Sequence, residues 1–294
     1  MIRVMVPATT ANIGPGFDCL GIALNLYNTI EVEEIDEGLI IEVEGIDKEL
    51  IEANENNLVY ISMMKVFKTL AYLPTGLKIK QLNNIPVARG LGSSAATIVG
   101  GLVAANKICN NKLSRDEILN MAIEIEGHPD NVAPALLGGF VVSFKEDEEI
   151  QYVNFQVDEK LSFWAVFPDV SLSTSLARSI LPDTILFKDA VYNIGKASIL
   201  VAALASGKYN LIAHALKDRL HQPYRIELME SLKLIFNYAE KDNMNVYLSG
   251  AGPTVILLSV KNQNEDANKL KSLIGGLPER WTMMELKGHN IELI

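Results

Sequence analysis

The chain has 294 residues, of which 49% are hydrophobic and 21% charged. This balance is typical of globular proteins and argues against intrinsic disorder, and the length suffices for two ordinary domains. The formal net charge is −10 and no cluster of Lys and Arg stands out. Nucleic acid is therefore not an expected partner, and an anionic ligand must be held by local donors or a metal.

Cysteine content and apolar patterning indicate the compartment. Cys19 and Cys109 are the only cysteines, and their separation does not fit a metal site, so both are predicted to be small core residues. The first residues lack the long apolar segment of a signal peptide, and no run approaches the roughly 18 apolar residues of a membrane span. These features predict a cytosolic protein that does not act at a membrane.

The first part of the chain reads as strands around a turn-rich segment. Strands are predicted at residues 2–6, 20–34, 38–44 and 77–82, and a helix at residues 57–73. Residues 7–17 are predicted as a long turn, in which Asn12 precedes glycine and proline and Asp18 follows them. Taken alone, this segment favours a surface loop whose Asn and Asp bond their own backbone.

Residues 86–96 form a glycine-rich turn that leads into a helix predicted at residues 94–106. Gly90 and Gly92 leave the backbone open to an anion, and the helix start adds N–H groups and the positive end of its dipole. The pattern predicts a phosphate cradle. Two alternatives stay open, an ordinary turn and a G-x-G-x-x-A dinucleotide fingerprint, whereas the Walker A pattern is absent.

The rest of the chain yields further polar clusters and a second α/β pattern. Ser114 and Glu117 predict a capping box for a helix to about residue 126, where a polar cluster follows, then a strand at 140–144 and a hairpin tip at 145–149. Helices are predicted at residues 188–205, 209–220, 226–240 and 265–273. Strands at 161–167, 245–249, 254–260 and 281–286 complete a β-α-β-β-α-β order, with a second glycine turn at 249–254.

Three segments together resemble the motifs of the GHMP kinases, in that family's order and spacing: residues 7–18, 86–96 and 249–254. Within that superfamily, residues 12–18, 126–134 and 174–178 look most like the homoserine kinase branch. The resemblance covers essentially the whole chain. It implies an α+β, two-domain GHMP kinase fold, with a ribosomal protein S5 domain 2-like N-terminal domain at residues 1–155 and a ferredoxin-like C-terminal domain at residues 156–294.

The resemblance also implies an activity. It is the ATP-dependent phosphorylation of the side-chain hydroxyl of L-homoserine to O-phospho-L-homoserine, a step of threonine biosynthesis, by a homodimer. Magnesium prefers hard oxygen ligands and keeps several waters, so Ser94 and Glu126 supply a sufficient minimum. The residues expected to bind ATP are Asn57, Pro86, Val87, Ala88, Arg89, Gly90, Leu91, Gly92, Ser93, Ser94, Ala95 and Ala96.

For the acceptor, the resemblance implies a pocket that binds an amino-acid zwitterion. Asp18 would bind the amino group of homoserine, and Arg178 and Arg225 its carboxylate, because the guanidinium fork pairs with a carboxylate in planar hydrogen bonds. Asn12 would bind the hydroxyl, with His128 alongside.

The catalytic assignments are Asn12, Asn131 and Arg178. Several GHMP kinases place an aspartate where Asn131 stands here, next to Asp130, and an amide cannot accept a proton. Phosphoryl transfer depends mainly on positioning and charge neutralisation. We therefore expect direct attack by the acceptor hydroxyl without a catalytic base, and the alternative that stays open is Asp130 as the base.

Two other functions are weighed. The same fold with another acceptor would give a mevalonate, diphosphocytidyl-methylerythritol, galactose or shikimate kinase, none of which explains an acid beside two arginines. A non-catalytic ligand sensor is the second, and the complete glycine turn with Ser94 and Glu126 argues against it.

Overall fold

The computed structural model describes residues 1–147, 149–260 and 265–293. Its first sheet has the order β3-β4-β2-β5-β6, with β1 paired to β2. The β3–β4 pair is parallel and the other pairs are antiparallel. Its strands are β1 (Ile2–Ala11), β2 (Leu20–Glu34), β3 (Gly38–Gly45), β4 (Gly76–Asn83), β5 (Phe140–Glu146) and β6 (Glu149–Phe155).

The first strand differs from the sequence prediction. It was expected to end at residue 6, but β1 stays paired with β2 through Ala11, opposite Gly21. The register shifts between Pro7 and Ala8, and a proline without an N–H is tolerated at such an irregularity. The turn-rich segment therefore begins at Asn12 rather than at residue 7.

Four helices accompany this sheet: α1 (Leu58–Thr69), α2 (Ser93–Ile108), α3 (Arg115–Glu126) and α4 (Pro129–Leu137). The capping box of Ser114 and Glu117 is confirmed at the start of α3. Helix α2 is buried over most of its length. The close packing is evident at Gly100, where an added Cβ would lie 2.3 Å from Cδ1 of Ile30. The small residues of α2 thus bring the helix that follows the glycine turn directly against the sheet.

The second sheet has the order β10-β7-β9-β8, with every pair antiparallel. Its strands are β7 (Leu161–Pro168), β8 (Val246–Leu248), β9 (Val255–Val260) and β10 (Trp281–Leu286), and its helices are α9 (Glu230–Lys241) and α10 (Glu265–Ile274). The β-α-β-β-α-β order is confirmed. The division at residues 155 and 156 stays a proposal, and the segment after β10 returns to the first sheet, where the N–H of His289 donates to the carbonyl of Ala23 at 2.9 Å.

Four further helices connect β7 to α9: α5 (Thr174–Ser179), α6 (Phe187–Ser206), α7 (Ile212–Ala215) and α8 (Gln222–Ile226). The helix predicted at 209–220 is wrong, since a 3-10 turn at Tyr209–Leu211 and α7 replace it. The cause is Asp218, whose buried carboxylate accepts hydrogen bonds from the N–H groups of Leu220, His221 and Gln222. Such local bonds compete with the helix. None of the helices within the described ranges combines the length and apolar character needed to cross a bilayer.

Candidate active site

A cavity of about 90 Å³ lies where the glycine turn meets the loops that follow β1, α3 and β8. It brings together most of the polar residues that the sequence singled out. Its lining consists of Asn12, Asp18, Ala88, Gly90, Gly92, Ser93, Ser94, Glu126, His128, Asp130, Asn131, Leu172, Thr174, Arg178, Arg225, Gly250, Ala251 and Gly252.

The glycine turn forms one wall of the cavity and ends at the start of α2. Gly92 is the N-cap of α2 and has a left-handed φ of 70°. A Cβ on Gly92 would lie 1.9 Å from the hydroxyl of Thr9, and one on Gly90 would lie 2.3 Å from the carbonyl oxygen of Ser249. Glycine is therefore required at both positions. The first N–H groups of α2 and its positive dipole end favour an anion at this wall.

The second glycine turn, residues 249–254, supports the first one. The hydroxyl of Ser249 donates to the carbonyl of Gly90 at 2.6 Å, and the N–H of Thr254 donates to the carbonyl of Arg89 at 3.1 Å. The N–H of Gly250 donates to the carbonyl of Ala11 at 3.1 Å. The first two bonds hold carbonyl oxygens of the glycine turn at residues 86–96, and the third ties the second turn to the end of β1.

Ser94 and Glu126 lie side by side at the helix start. The Ser94 hydroxyl donates to Oε2 of Glu126 at 2.8 Å. Burial raises the pKa of Glu126, an effect that the hydrogen bond from Ser94 and the charge of His128 oppose. A half-buried carboxylate beside an accessible hydroxyl is a donor set that suits Mg²⁺. The chain thus places both predicted metal ligands together although they are far apart in sequence.

Asp18 and Arg178 form a bidentate ion pair on the opposite side of the cavity. Nη2 of Arg178 donates to Oδ1 of Asp18 at 2.7 Å and Nη1 donates to Oδ2 at 3.0 Å. The hydrogen bonds that Arg178 donates to Asp18 raise the pKa of Arg178. The ring of Phe17 lies 5.5 Å from the guanidinium carbon of Arg178 and 5.1 Å from that of Arg225. Both guanidinium groups are therefore in cation–π range of the same aromatic ring.

Arg225 is buried, with 2% of its surface exposed. Nε donates to the carbonyl of Ala177 at 3.0 Å and Nη1 donates to the carbonyl of Gly250 at 3.0 Å. Burial lowers the pKa of Arg225 to about 10, and the charge of Arg178 adds to this effect. The group therefore remains cationic at neutral pH and is fixed in place.

Asn12 and His128 complete the cavity between these groups. Asn12 is buried, its Nδ2 donates to the carbonyl of Gly250 at 2.9 Å, and its Oδ1 accepts from the N–H of Asp18 at 2.9 Å. Nδ1 of His128 lies 2.7 Å from Oδ1 of Asp130. Burial acts to lower the pKa of His128, but the hydrogen bond and charge of Asp130 outweigh it, so the pKa is raised.

Asn131 links the cavity to the glycine turn. Its Oδ1 accepts from the hydroxyl of Thr9 at 2.8 Å, and its Nδ2 donates to Oδ1 of Asp130 at 3.3 Å. Both Asp130 and Asn131 are buried. The Asp130 carboxylate therefore already accepts hydrogen bonds from two neighbours, and Asn131 holds it next to the start of α2.

The similarity of this chain to known proteins agrees with the arrangement of the cavity. The family model described as GHMP kinases N terminal domain matches residues 57–139, and that described as GHMP kinases C terminal matches residues 200–274. The homoserine kinase of Clostridium botulinum is 47% identical over 98% of this chain and 96% of its own length. That of Caldicellulosiruptor bescii is 46% identical over 99% and 95%, respectively. The chain belongs to the homoserine kinase family of the GHMP kinases.

A solved structure supports the same assignment. The crystal structure of a homoserine kinase from Cytophaga hutchinsonii superposes with a TM-score of 0.89 at 30% identity, and covers 98% of this chain and 95% of the other. The two-domain GHMP kinase fold predicted from the sequence is therefore confirmed, as is membership of this family.

Several predicted nucleotide-binding side chains of this homoserine kinase family member lie outside the cavity. Arg89 donates to the carbonyls of Pro168 and Asp169 at 3.0 and 3.1 Å and pairs with Asp47, so it ties the glycine turn to the end of β7. Asn57 is the N-cap of α1 and accepts from the N–H of Val59 at 2.9 Å. The others outside the lining are Pro86, Val87, Leu91, Ala95 and Ala96. A direct role for these side chains stays a prediction.

Two contributors were missed from the sequence. The sequence predicts no role for Phe17, yet its ring lies within cation–π range of both arginines. It predicts no role for His221 either, but Nε2 of His221 lies 2.7 Å from the carbonyl oxygen of Gly14, and its ring is tilted by 30° against that of Phe17 with centroids 5.1 Å apart. The spacing of four residues between His221 and Arg225, one helical turn, was the signal that could have indicated it.

Proposed function

We propose that the protein transfers the γ-phosphoryl group of ATP to the side-chain hydroxyl of L-homoserine and so forms O-phospho-L-homoserine. The observation that carries the proposal is the cavity itself. One wall is a glycine turn and helix start suited to a triphosphate, and the other holds one acid and two arginines suited to an amino acid. Relatives that are named homoserine kinases and nearly half identical over almost the whole chain support this choice of acceptor.

On the nucleotide side, the N–H groups of residues 90–94 would bind the phosphates in place of a Walker lysine. Ser94 and Glu126 would hold Mg²⁺, which supplies charge neutralisation between the phosphates when bound. The fit is supported by their 2.8 Å contact and by their place in the lining of the cavity.

On the acceptor side, Asp18 would bind the amino group, and Arg178 and Arg225 the carboxylate. Asn12 would bind the hydroxyl through the second hydrogen of its amide or the second lone pair of its oxygen, because an amide offers more than the two bonds it makes here. His128, held by Asp130, lies alongside.

In the transfer step, the acceptor oxygen forms a bond to the γ-phosphorus while the bond from that phosphorus to the β–γ bridging oxygen breaks, and the proton leaves to phosphate or solvent. No base is assigned. Asp130 already accepts bonds from His128 and Asn131, so we give it a positioning role. Arg178, Asn12 and Asn131 would contribute by alignment and charge, which are the main terms in phosphoryl transfer.

The other acceptors are less well supported. Mevalonate, galactose, shikimate and diphosphocytidyl-methylerythritol have no α-amino acid zwitterion. None of them offers both an ammonium group for Asp18 and an α-carboxylate for Arg178 and Arg225. A ligand sensor would not require the Ser94 hydroxyl and the Glu126 carboxylate to lie side by side next to the glycine turn. The homodimer and the cytosolic location remain predictions.

The test is an ADP-release assay with Mg-ATP against homoserine, mevalonate, galactose, shikimate and no acceptor. We expect turnover that depends on homoserine. Turnover with another acceptor would retain the nucleotide site and overturn the roles of Asp18, Arg178 and Arg225, and the absence of turnover with every acceptor would favour the sensor.

A further inference from the structure

Asp18 and Arg178 bind each other in the acceptor half of the cavity, although the proposed function gives each of them a different end of the substrate. The two hydrogen bonds of 2.7 and 3.0 Å use both oxygens of the carboxylate and both Nη atoms of the guanidinium. An acceptor that bound Asp18 through its amino group and Arg178 through its carboxylate would therefore compete with this pair.

We propose that the acceptor enters by exchanging partners with this ion pair. The ammonium group of the substrate takes the place of Arg178 at Asp18, and its carboxylate takes the place of Asp18 at Arg178. The inference rests on the proposed function, since it assumes an amino-acid acceptor. It assigns the pair a role in selecting zwitterions over alcohols that carry a single charge.

The surroundings make Arg178 the partner that moves. The backbone of Asp18 is fixed, because its N–H donates to Oδ1 of Asn12 at 2.9 Å. Arg225 is likewise fixed by two backbone carbonyls and is almost fully buried. The Arg178 side chain is 36% exposed and comes from the six-residue helix α5. Its guanidinium carbon already lies 5.5 Å from the centroid of the Phe17 ring, and this ring can continue to stabilise the cation while its carboxylate partner is exchanged.

The charge balance gives the selectivity. A zwitterion brings one positive and one negative group, so Asp18 and Arg178 both regain a partner after the exchange. An alcohol with only a carboxylate satisfies Arg178 and leaves Asp18 without its cation, and an alcohol with only an ammonium does the opposite. Binding free energy is lost when one member of a partly buried charge pair is left without a partner. It is not lost when the ligand supplies a new partner to both members.

The proposal predicts a gain of binding in a variant that lacks one partner. The probes are 4-hydroxybutyrate, which lacks the ammonium of homoserine, and 3-aminopropan-1-ol, which lacks its carboxylate. In Asp18→Asn, Arg178 is already released, so 4-hydroxybutyrate should bind about tenfold more tightly than to the wild type. In Arg178→Gln, 3-aminopropan-1-ol should gain similarly. Homoserine should bind more weakly to both variants.

The measurement is calorimetric titration of the full chain with each probe, with Mg-ATP affinity measured to show that each variant is folded. Asp189→Asn is the matched control, because it removes a carboxylate that pairs with Arg219 at 2.9 Å outside the cavity lining. It should leave the affinity for both probes unchanged.

The partner exchange and the homoserine kinase activity can be tested separately. If the wild type phosphorylates homoserine but neither variant gains affinity for its probe, the partner exchange is overturned and the proposed function stands. If the wild type does not phosphorylate homoserine, both are overturned.

Discussion

The hydroxyl of Ser94 donates a 2.8 Å hydrogen bond to the carboxylate of Glu126, which comes from the end of a different helix. Glu126→Gln keeps the shape and removes the charge that a metal requires, so activity should fall by two orders of magnitude or more at limiting Mg²⁺, a loss of about 3 kcal/mol. A magnesium titration of turnover measures this. Glu124→Gln is the control, because that carboxylate is largely exposed and pairs with Lys65 at 2.6 Å. Equal magnesium dependence in both variants would contradict the metal assignment.

Gly90→Ala should weaken ATP binding through steric conflict. Gly90 has a φ of 85° and its added Cβ would lie 2.3 Å from the Ser249 carbonyl oxygen, whereas Gly38 has a φ of 81° and open space around it. Both substitutions carry the left-handed strain of about 1–2 kcal/mol, but only Gly90→Ala must displace the backbone. Thermal unfolding and ATP titration of both variants separate strain from clash. A Gly90→Ala protein that binds ATP as well as Gly38→Ala does would argue against the phosphate turn.

Arg225→Ala should affect one substrate and spare the other. We expect kcat/KM for homoserine to fall by a factor that corresponds to roughly 2–5 kcal/mol of transition-state stabilisation, as when one member of a buried charge pair is removed. The affinity for ATP should stay nearly unchanged. Arg219→Ala is the control, because Arg219 pairs with Asp189 and does not line the cavity. If ATP and homoserine were affected equally, Arg225 would be a structural residue rather than a carboxylate ligand.

Asp130→Asn and Asn131→Ala test whether the reaction needs a base. A positioned base is worth about 10²–10⁴-fold. Because Asp130 accepts bonds from His128 and Asn131, we expect Asp130→Asn to keep measurable turnover, with a loss comparable to that of Asn131→Ala. Single-turnover rates at saturating substrates decide the question. Abolished turnover in Asp130→Asn together with near-normal rates in Asn131→Ala would identify Asp130 as the base.

His221 should make the protein less stable in acid. Nε2 faces the carbonyl oxygen of Gly14 and must carry the proton, so Nδ1, which lies 3.4 Å from Nη1 of Arg225, is the atom that would be protonated. Burial lowers the pKa of His221, Arg225 lowers it further, and Asp218 at 3.7 Å opposes both.

A histidine with a lowered pKa contributes stability above its unfolded value of 6.5, and this is lost as the pH falls through the folded pKa. The drop in unfolding free energy between about pH 7 and about pH 5 should therefore be smaller in His221→Gln than in the wild type. Urea unfolding at both pH values measures it. His214→Gln, at an exposed histidine, should behave like the wild type, and an unchanged drop in His221→Gln would contradict the prediction.

The sequence predicted much of the fold because its signals were local. The capping box at Ser114 and the glycine turn before α2 are each set by neighbouring residues, and both are confirmed. The β-α-β-β-α-β order followed from hydrophobic periodicity in the same way. The end of β1 was misplaced because the pairing of Ala11 with Gly21 depends on a partner strand, which outweighs the turn propensity of the sequence.

The site was predicted in composition but not in contacts. Arg89 has the same residue type whether it binds phosphate or a backbone carbonyl, and only the tertiary structure shows that it binds Pro168 and Asp169. The pairing of Asp18 with Arg178 likewise joins residues that are distant in sequence. A role that depends on which group a side chain contacts in the folded protein could not be assigned from the sequence.

The support of the glycine turn by residues 249–254 has a consequence for how the protein could be divided. The hydroxyl of Ser249 and the N–H of Thr254, which flank strands of the second sheet, bind carbonyls of a turn that belongs to the first. The proposed nucleotide site therefore depends on residues that flank strands of both sheets. We therefore expect a fragment that ends after β6 to retain every glycine of the proposed phosphate turn, to lose the hydrogen bonds that orient it, and to bind ATP weakly.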